Sequence, residues 1–269
     1  MQCMEIRGGS QAVDASLSTP GLDAWVFSHP CQGAASGGDV HYLSLCGGGV
    51  ITRLIVADVS GHGEEVAEFS SSLRGLMRKN INTKSQTRLI RALNRQFAER
   101  AQLQRFATAI VATYLATKRS LTLCNAGHPR PLWYRAETGE WSLLDQHIEG
   151  VGNLPLGLDD ETLYNQFALQ LGPGDLLLVY TDALIESADP SGHLLGEQGL
   201  LGLARGIVPA DPATVGRALL DAVERHRQGH AVDDDVTLVV FRHLGDGPRR
   251  LSIGDKIDVY AKVFGLKSY

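Results

Sequence analysis

Three pairs of strand-like apolar runs, each joined by a short turn, constrain this chain more than any other feature. Residues 40–46 and 50–57 are split by Gly47-Gly48-Gly49, residues 106–117 and 121–125 by the turn at Lys118-Arg119, and residues 131–134 and 141–144 by the turn at Thr138-Gly139. Connections this short join antiparallel neighbours, because a parallel pair needs a crossover of about a dozen residues or more. Further strands are expected at 24–28, 176–180 and 236–241, and the continuous apolar run 176–180 reads as a central strand. Two helices fall between the first and second hairpins. Val66, Phe69, Leu73 and Leu76 recur on one face of the first, with Glu64, Glu65 and Glu68 near its N-terminus, and Leu89, Leu93 and Phe97 form the stripe of the second. Asp211-Pro212 starts another helix, with Asp as N-cap and Pro at the first position. Hairpins with paired helices between them predict an α+β architecture on antiparallel sheets rather than alternating βαβ units.

The organisation reads as a weakly periodic, Gly- and Ser-rich lead-in over 1–22, one domain over 23–243, and a tail over 244–269. In the tail, Asp255 can cap a short helix on which Ile257, Tyr260, Val263 and Phe264 share a face. Such a helix is marginal alone in water, so it docks on its own domain, on a second copy in a homodimer, or on a regulatory partner. The formal net charge of -5 provides no basic field for nucleic acid. No stretch approaches the roughly 20 apolar residues that span a bilayer. The N-terminus has no apolar core of signal-peptide length, so the expected location is cytoplasmic, with no membrane partner. Cys3, Cys31, Cys46 and Cys124 are scattered without a C-x-x-C pair and read as buried thiols in a reducing compartment.

Acidic residues punctuate the strands. Asp39 precedes the run 40–46, Asp58 follows 50–57, Asp182 lies just past 176–180, and Asp234 lies just before 236–241. In an antiparallel sheet the start of one strand lies beside the end of its neighbour, so these carboxylates can meet at one edge. Carboxylates gathered there either rise in pKa or take up cations, and an all-oxygen set favours Mg²⁺ or Mn²⁺ over zinc. Singly, each Asp is also a reasonable turn or cap residue. Spacing alone leaves both readings standing.

The ordered segments GGD (37–39), DVSGHG (58–63), NAGHP (125–129), PLGL (155–158), LLLVYTD ending at Asp182, and DDVTLVV (234–240) resemble the SpoIIE-like branch of the metal-dependent protein phosphatases, the protein phosphatase 2C superfamily. The resemblance spans roughly residues 20–243. It implies two antiparallel sheets packed face to face and flanked by helix pairs. It also implies hydrolysis of phosphoserine or phosphothreonine in proteins with two Mn²⁺ or Mg²⁺ ions. Asp58 would bridge the two ions and the Val59 carbonyl would join it on one, while Asp39, Asp182 and Asp234 would hold the other. Substrates in such a branch are often phosphorylated anti-sigma-factor antagonists. A two-metal phosphodiesterase and a docking module with a decayed site are the alternative readings, and the acidic charge and the retained Asp set speak against them.

Several positions depart from the pattern. Ala183 stands where Gly commonly follows the Asp, which predicts a reshaped loop if that residue needs positive φ. Val40-His41-Tyr42 replaces an aromatic pair and a second Asp. Ser60 occupies the place of a His proposed as general acid in eukaryotic relatives, which leaves His62 as a candidate acid. His128 is read as a packed, hydrogen-bonded His, and Glu186 as structural or as acting beyond the ligands themselves. Asp233 and Asp235 flank Asp234 and make that assignment ambiguous by one position.

Overall fold

The computed structural model describes residues 3–46, 49–61, 64–83, 85–101, 105–145, 153–230 and 233–245. The strands are β1 (Met4–Gly9), β2 (Val13–Thr19), β3 (Leu22–His29), β4 (Asp39–Cys46), β5 (Ile51–Val59), β6 (Ala107–Leu115), β7 (Ser120–Ala126), β8 (Leu132–Arg135), β9 (Glu140–Leu143), β10 (Phe167–Gln170), β11 (Leu176–Tyr180) and β12 (Val236–His243). The helices are α1 (Glu64–Asn80) and α2 (Gln86–Ala101) after β5, and α3 (Gly196–Arg205) and α4 (Pro212–Arg227) before β12. One six-stranded sheet has the order β1-β4-β5-β6-β7-β10 and the other β2-β3-β12-β11-β8-β9.

Alternation along the strands builds three apolar layers. On β5, Leu54 and Val56 face the other sheet, where they meet Val26, Leu177, Val179 and Val239. The intervening Ile55, Ala57 and Val59 face Val66, Leu73, Leu89, Leu93 and Phe97 of α1 and α2. On the far side Trp25, Leu178, Tyr180 and Val240 pack against Leu200, Val215 and Leu219 of α3 and α4. The result is a helix–sheet–sheet–helix sandwich. Both faces of β11 are covered, which is why its sequence is apolar without interruption. α4 starts as its sequence predicts: the Asp211 carboxylate accepts from Thr214 N–H at 3.0 Å, with Pro212 at the first helical position.

Two expectations are corrected. The weakly periodic lead-in contains β1 and β2, and these join opposite sheets as edge strands. β1 pairs with β4 through a bulge between Glu5 and Arg7, and such a break blurs a period-2 pattern. Cys3 and Cys46 are not free thiols: they form a disulfide whose Cα atoms are 4.3 Å apart, beside the Met4–Leu45 register pair. Cys124 is a buried thiol as expected, and burial pushes its pKa up to about 12. Among the described residues no helix is long and apolar enough to cross a membrane. The amphipathic tail segment lies outside the described residues.

Candidate metal centre

Asp39 opens β4 and Asp58 lies near the end of β5, and the antiparallel register makes them direct partners. Both fall on the face turned toward the second sheet, since Val40 and Val59, beside them in sequence, face the helices. The second sheet brings its own acids to the same end. Asp182 begins a single 3-10 turn (Asp182–Leu184) after β11, and Asp234 lies just before β12, the neighbour of β11.

Asp39 is only 3% exposed, and its Oδ2 accepts from the Thr181 hydroxyl at 2.8 Å. Burial and then the neighbouring Asp58 hold its pKa well above the carboxylate range, against the lowering effect of hydrogen bonds from Thr237 and Thr181. The Asp58 pKa is pushed up to about 8, first by burial and then by Asp182, Asp234, Asp235 and Glu186 in that order. Burial and then Glu186 raise Asp182 as well. Four acids thus act on Asp58 with the same sign, the arrangement that bound cations neutralise. The donor set is all oxygen, which suits hard divalent ions. As they stand, no three acidic, His or Cys side chains among the described residues are close enough to ligate one ion. The residues nonetheless fit a divalent metal in donor type, charge and convergence at one edge.

The neighbouring Asp235 does something different. Its carboxylate accepts from Cys31 N–H at 2.7 Å and from the N–H groups of Gly38 and Asp39. It packs so tightly on Gly37 that a Cβ there would collide with it. GGD and DD are thus two halves of one joint: the second Asp of DD clamps the glycine loop that presents Asp39. Asp234 is left exposed, next to Asp58 electrostatically, with its Oδ1 accepting Asp235 N–H at 2.8 Å.

Sequence reasoning missed Thr181 and Thr237. Thr181 is fully buried and ties the two sheets together: its hydroxyl donates to Asp39 and accepts from Thr237 N–H at 2.9 Å, and its own N–H donates to Thr237 O at 3.0 Å. The signal was present in YTD and DDVT, where a Thr directly precedes Asp182 and another follows Asp235 by two residues.

His128 is buried and lies against β6, the strand next to the one carrying Asp58. Its Nδ1 is 2.8 Å from the hydroxyl of Thr108, the register partner of Asp58 across β5 and β6. Nε2 turns toward the Tyr180 backbone without reaching hydrogen-bond geometry, and burial drives the pKa down to about 3. Asn125 shapes this turn, its side chain donating to His128 O and accepting His128 N–H, both at 2.7 Å. Gly127 carries a φ of 69° with Pro155 packed against it, so NAGHP and PLGL also meet in space. Ala183 sits inside the 3-10 turn with no positive φ, so the replaced glycine costs nothing here. Ser60 secures the loop after Asp58: its N–H donates to Phe106 O at 2.9 Å and its Oγ accepts Phe106 N–H at 3.1 Å. Glu186 is exposed beside Asp182, and Val59 is buried with its N–H on Gly38 O at 3.3 Å. His62 lies outside the described residues.

Comparison with known proteins agrees with this fold. Residues 49–244 match the family model described as stage II sporulation protein E, SpoIIE. The phosphoserine phosphatases RsbP and RsbU of Bacillus subtilis (strain 168) are 24% and 25% identical over 192 and 198 residues. Those matches cover 70% and 71% of this chain but 44% and 55% of the relatives, so the chain spans about half their length. The crystal structure of the RsbU and RsbW domains of Rv1364c from Mycobacterium tuberculosis superposes with a TM-score of 0.71 at 27% identity, covering 95% of this chain and 70% of that one. The catalytic domain of the serine threonine protein phosphatase PstP, solved with 2 manganese ions, shares the fold at a TM-score of 0.58 and 17% identity, over 83% of this chain and 98% of that one.

Proposed function

The chain belongs to the SpoIIE family, and from that membership we propose that it is a metal-dependent serine/threonine protein phosphatase. The observation that carries the proposal is the convergence of Asp39, Asp58, Asp182 and Asp234, with burial first and the acidic neighbours second pushing the Asp58 pKa up to about 8. Asp58 would bridge two Mn²⁺ or Mg²⁺ ions, with the Val59 carbonyl beside it and Asp39, Asp182 and Asp234 completing the set. Such a pair supplies an activated water and polarises a phosphoryl oxygen.

The remaining work falls to the protein. Thr181 fixes the Asp39 carboxylate through its hydroxyl, and Asp235 fixes the backbone that precedes it. The two sheets thereby hold their carboxylates on rigid strand ends, where geometry is kept more precisely than on free loops. His128, neutral and packed beneath β6, supports the strand next to Asp58 rather than donating a proton. The substrate in this reading is a phosphorylated serine or threonine on a partner protein of bacterial partner-switching signalling, such as an anti-sigma-factor antagonist, and the relatives named phosphoserine phosphatases support it. The test is phosphate release from phosphoserine proteins of the same cell, with and without Mn²⁺. Release that needs the metal and disappears in Asp58→Asn supports the reading, and release unaffected by chelation overturns it.

A further inference from the structure

The far end of β5 carries a second polar feature, remote from the acidic edge. Arg53 lies five residues before Asp58, about 17 Å along the strand. Its side chain points to the helix-covered face, as Ile55 and Ala57 do, yet there it meets polar neighbours. Ser44, Arg53, Thr113 and Thr122 are successive register partners across β4, β5, β6 and β7. This row interrupts a face that is otherwise apolar beneath α1 and α2.

Arg53 is only 4% exposed, and none of its hydrogen bonds goes to a carboxylate. Nε donates to the Thr113 hydroxyl at 3.1 Å, and Nη1 to the backbone carbonyls of Ile81 and Thr83 at 2.7 and 3.1 Å. Tying β6 to the turn after α1 accounts for those two nitrogens. It leaves Nη2, with two N–H donors, unbonded to any described residue. Guanidinium groups so buried are normally matched by an anion, because an uncompensated buried charge is costly. The whole chain has an excess of acids, so the lack of one here is selective.

Arg53 lines an open cavity of about 550 Å³, within the range of small-molecule sites. Lys118 adds a second cation, Thr113, Thr122 and Ser120 add hydroxyls, and no acidic residue among those described contributes to the wall. Asn82 also lines it, with its amide oxygen already taken by Cys3 N–H at 2.8 Å, which leaves its NH₂ as a donor. Ile51, Ile81 and Leu115 supply apolar wall. We infer that this cavity is a binding site for a small organic oxyanion, whose carboxylate or phosphate head meets Arg53 Nη2 and the hydroxyl row while a short apolar body lies on Ile51, Ile81 and Leu115. The fork of an Arg suits planar or tetrahedral oxyanions, and Lys118 at the rim favours their entry.

The test is an amide-resolved NMR titration of the full chain in Mg²⁺ buffer with hexanoate, inorganic phosphate and neutral hexanamide, at constant ionic strength. Saturable shifts are expected with hexanoate around Ile51, Arg53, Leu115 and Thr122, and none with hexanamide. Phosphate producing the same shifts identifies the head group as the determinant, whereas hexanoate alone assigns a carboxylate site. Arg53→Gln and Lys118→Glu should each weaken binding at least tenfold, and Asp58→Asn should leave it unchanged. Should Arg53→Gln fail to fold, Thr122→Leu, which fills the cavity and spares the guanidinium, must abolish binding. The inference is overturned if neither anion shifts these residues, if Lys118→Glu and the cavity variant bind as wild type does, or if the shifts centre on Asp39 and Asp182 and vanish in Asp58→Asn.

Discussion

Asp39 and Asp58 stand directly opposite each other across β4 and β5, two carboxylates at a register position where like charges repel. Replacing Asp58 by Asn keeps the shape and removes the charge proposed to hold both metal ions. Hydrolysis of a phosphoserine protein should fall by at least about a thousandfold, some 4 kcal/mol on the barrier scale, while the circular dichroism spectrum stays the same. Turnover within about threefold of wild type, well under 1 kcal/mol, would reject the metal centre.

Chelation should expose the cost of the acidic cluster. Added Mn²⁺ should raise the melting temperature, with about 2.7 kcal/mol gained at a hundredfold excess over Kd. Without metal, Asp182→Ala should melt above wild type, because it removes the neighbouring charge that acts most strongly on Asp58. With metal it should gain less. A melting curve of the wild type that ignores both chelator and Mn²⁺ contradicts the clustering.

Asp234 and Asp235 differ in kind despite being neighbours. Asp235→Ala strips the acceptor from the N–H groups of Cys31, Gly38 and Asp39 and should cost at least about 2 kcal/mol. Asp234→Ala, on an exposed side chain, should change metal-free stability by less than about 0.5 kcal/mol and abolish the metal response. Denaturant titrations of the two variants, with and without Mn²⁺, separate the roles. The opposite ranking would exchange them.

His128 sets a pH dependence. Its folded pKa is depressed to about 3, below the ordinary histidine value of 6.5, so the unfolded chain binds the extra proton between those values. Its contribution is therefore complete above about pH 6.5 and is lost as pH falls toward 3, at up to about 1.4 kcal/mol per pH unit. His128→Gln should flatten the stability–pH slope near pH 5 by about one proton. An unchanged slope would mean that the ring is not buried neutral.

Much of this was legible in the chain because each strand pair announces itself twice, by alternation and by its turn. The hairpins β4–β5, β6–β7 and β8–β9 were all readable, as were both helices that follow β5. β10 is four residues long with alternating exposure and lies after a loop-rich stretch, too short for periodicity to mark. α3 has three glycines in GEQGLLGLAR, and its helical state comes from packing Leu200, Leu201 and Ala204 rather than from propensity. The Cys3–Cys46 bond was hidden because it depends on β1 lying beside β4, a pairing no local pattern encodes. At the acidic edge, residue types marked Asp39, Asp58, Asp182 and Asp234 correctly as strand-end residues. The clamp made by Asp235 and the tie made by Thr181 are contacts over 197 and 142 residues, and only the folded chain brings them together.

β12 has a bearing on how the molecule comes into being. This last strand lies between β3 and β11, with eight register pairs to one and five to the other. Until residues 236–243 emerge during synthesis, β3 and β11 each present an open apolar edge of the kind that recruits foreign strands. The loop that carries Asp234 and Asp235 arrives with it, so the clamp on Gly38 closes only when the second sheet does. Translation must therefore run nearly to the end of the described chain before the acidic edge is complete, and a nascent chain stalled earlier is sticky as well as unfinished. Pairings this distant in sequence also make for slow folding. A cell making this protein has reason to shield it on the ribosome until β12 is in place.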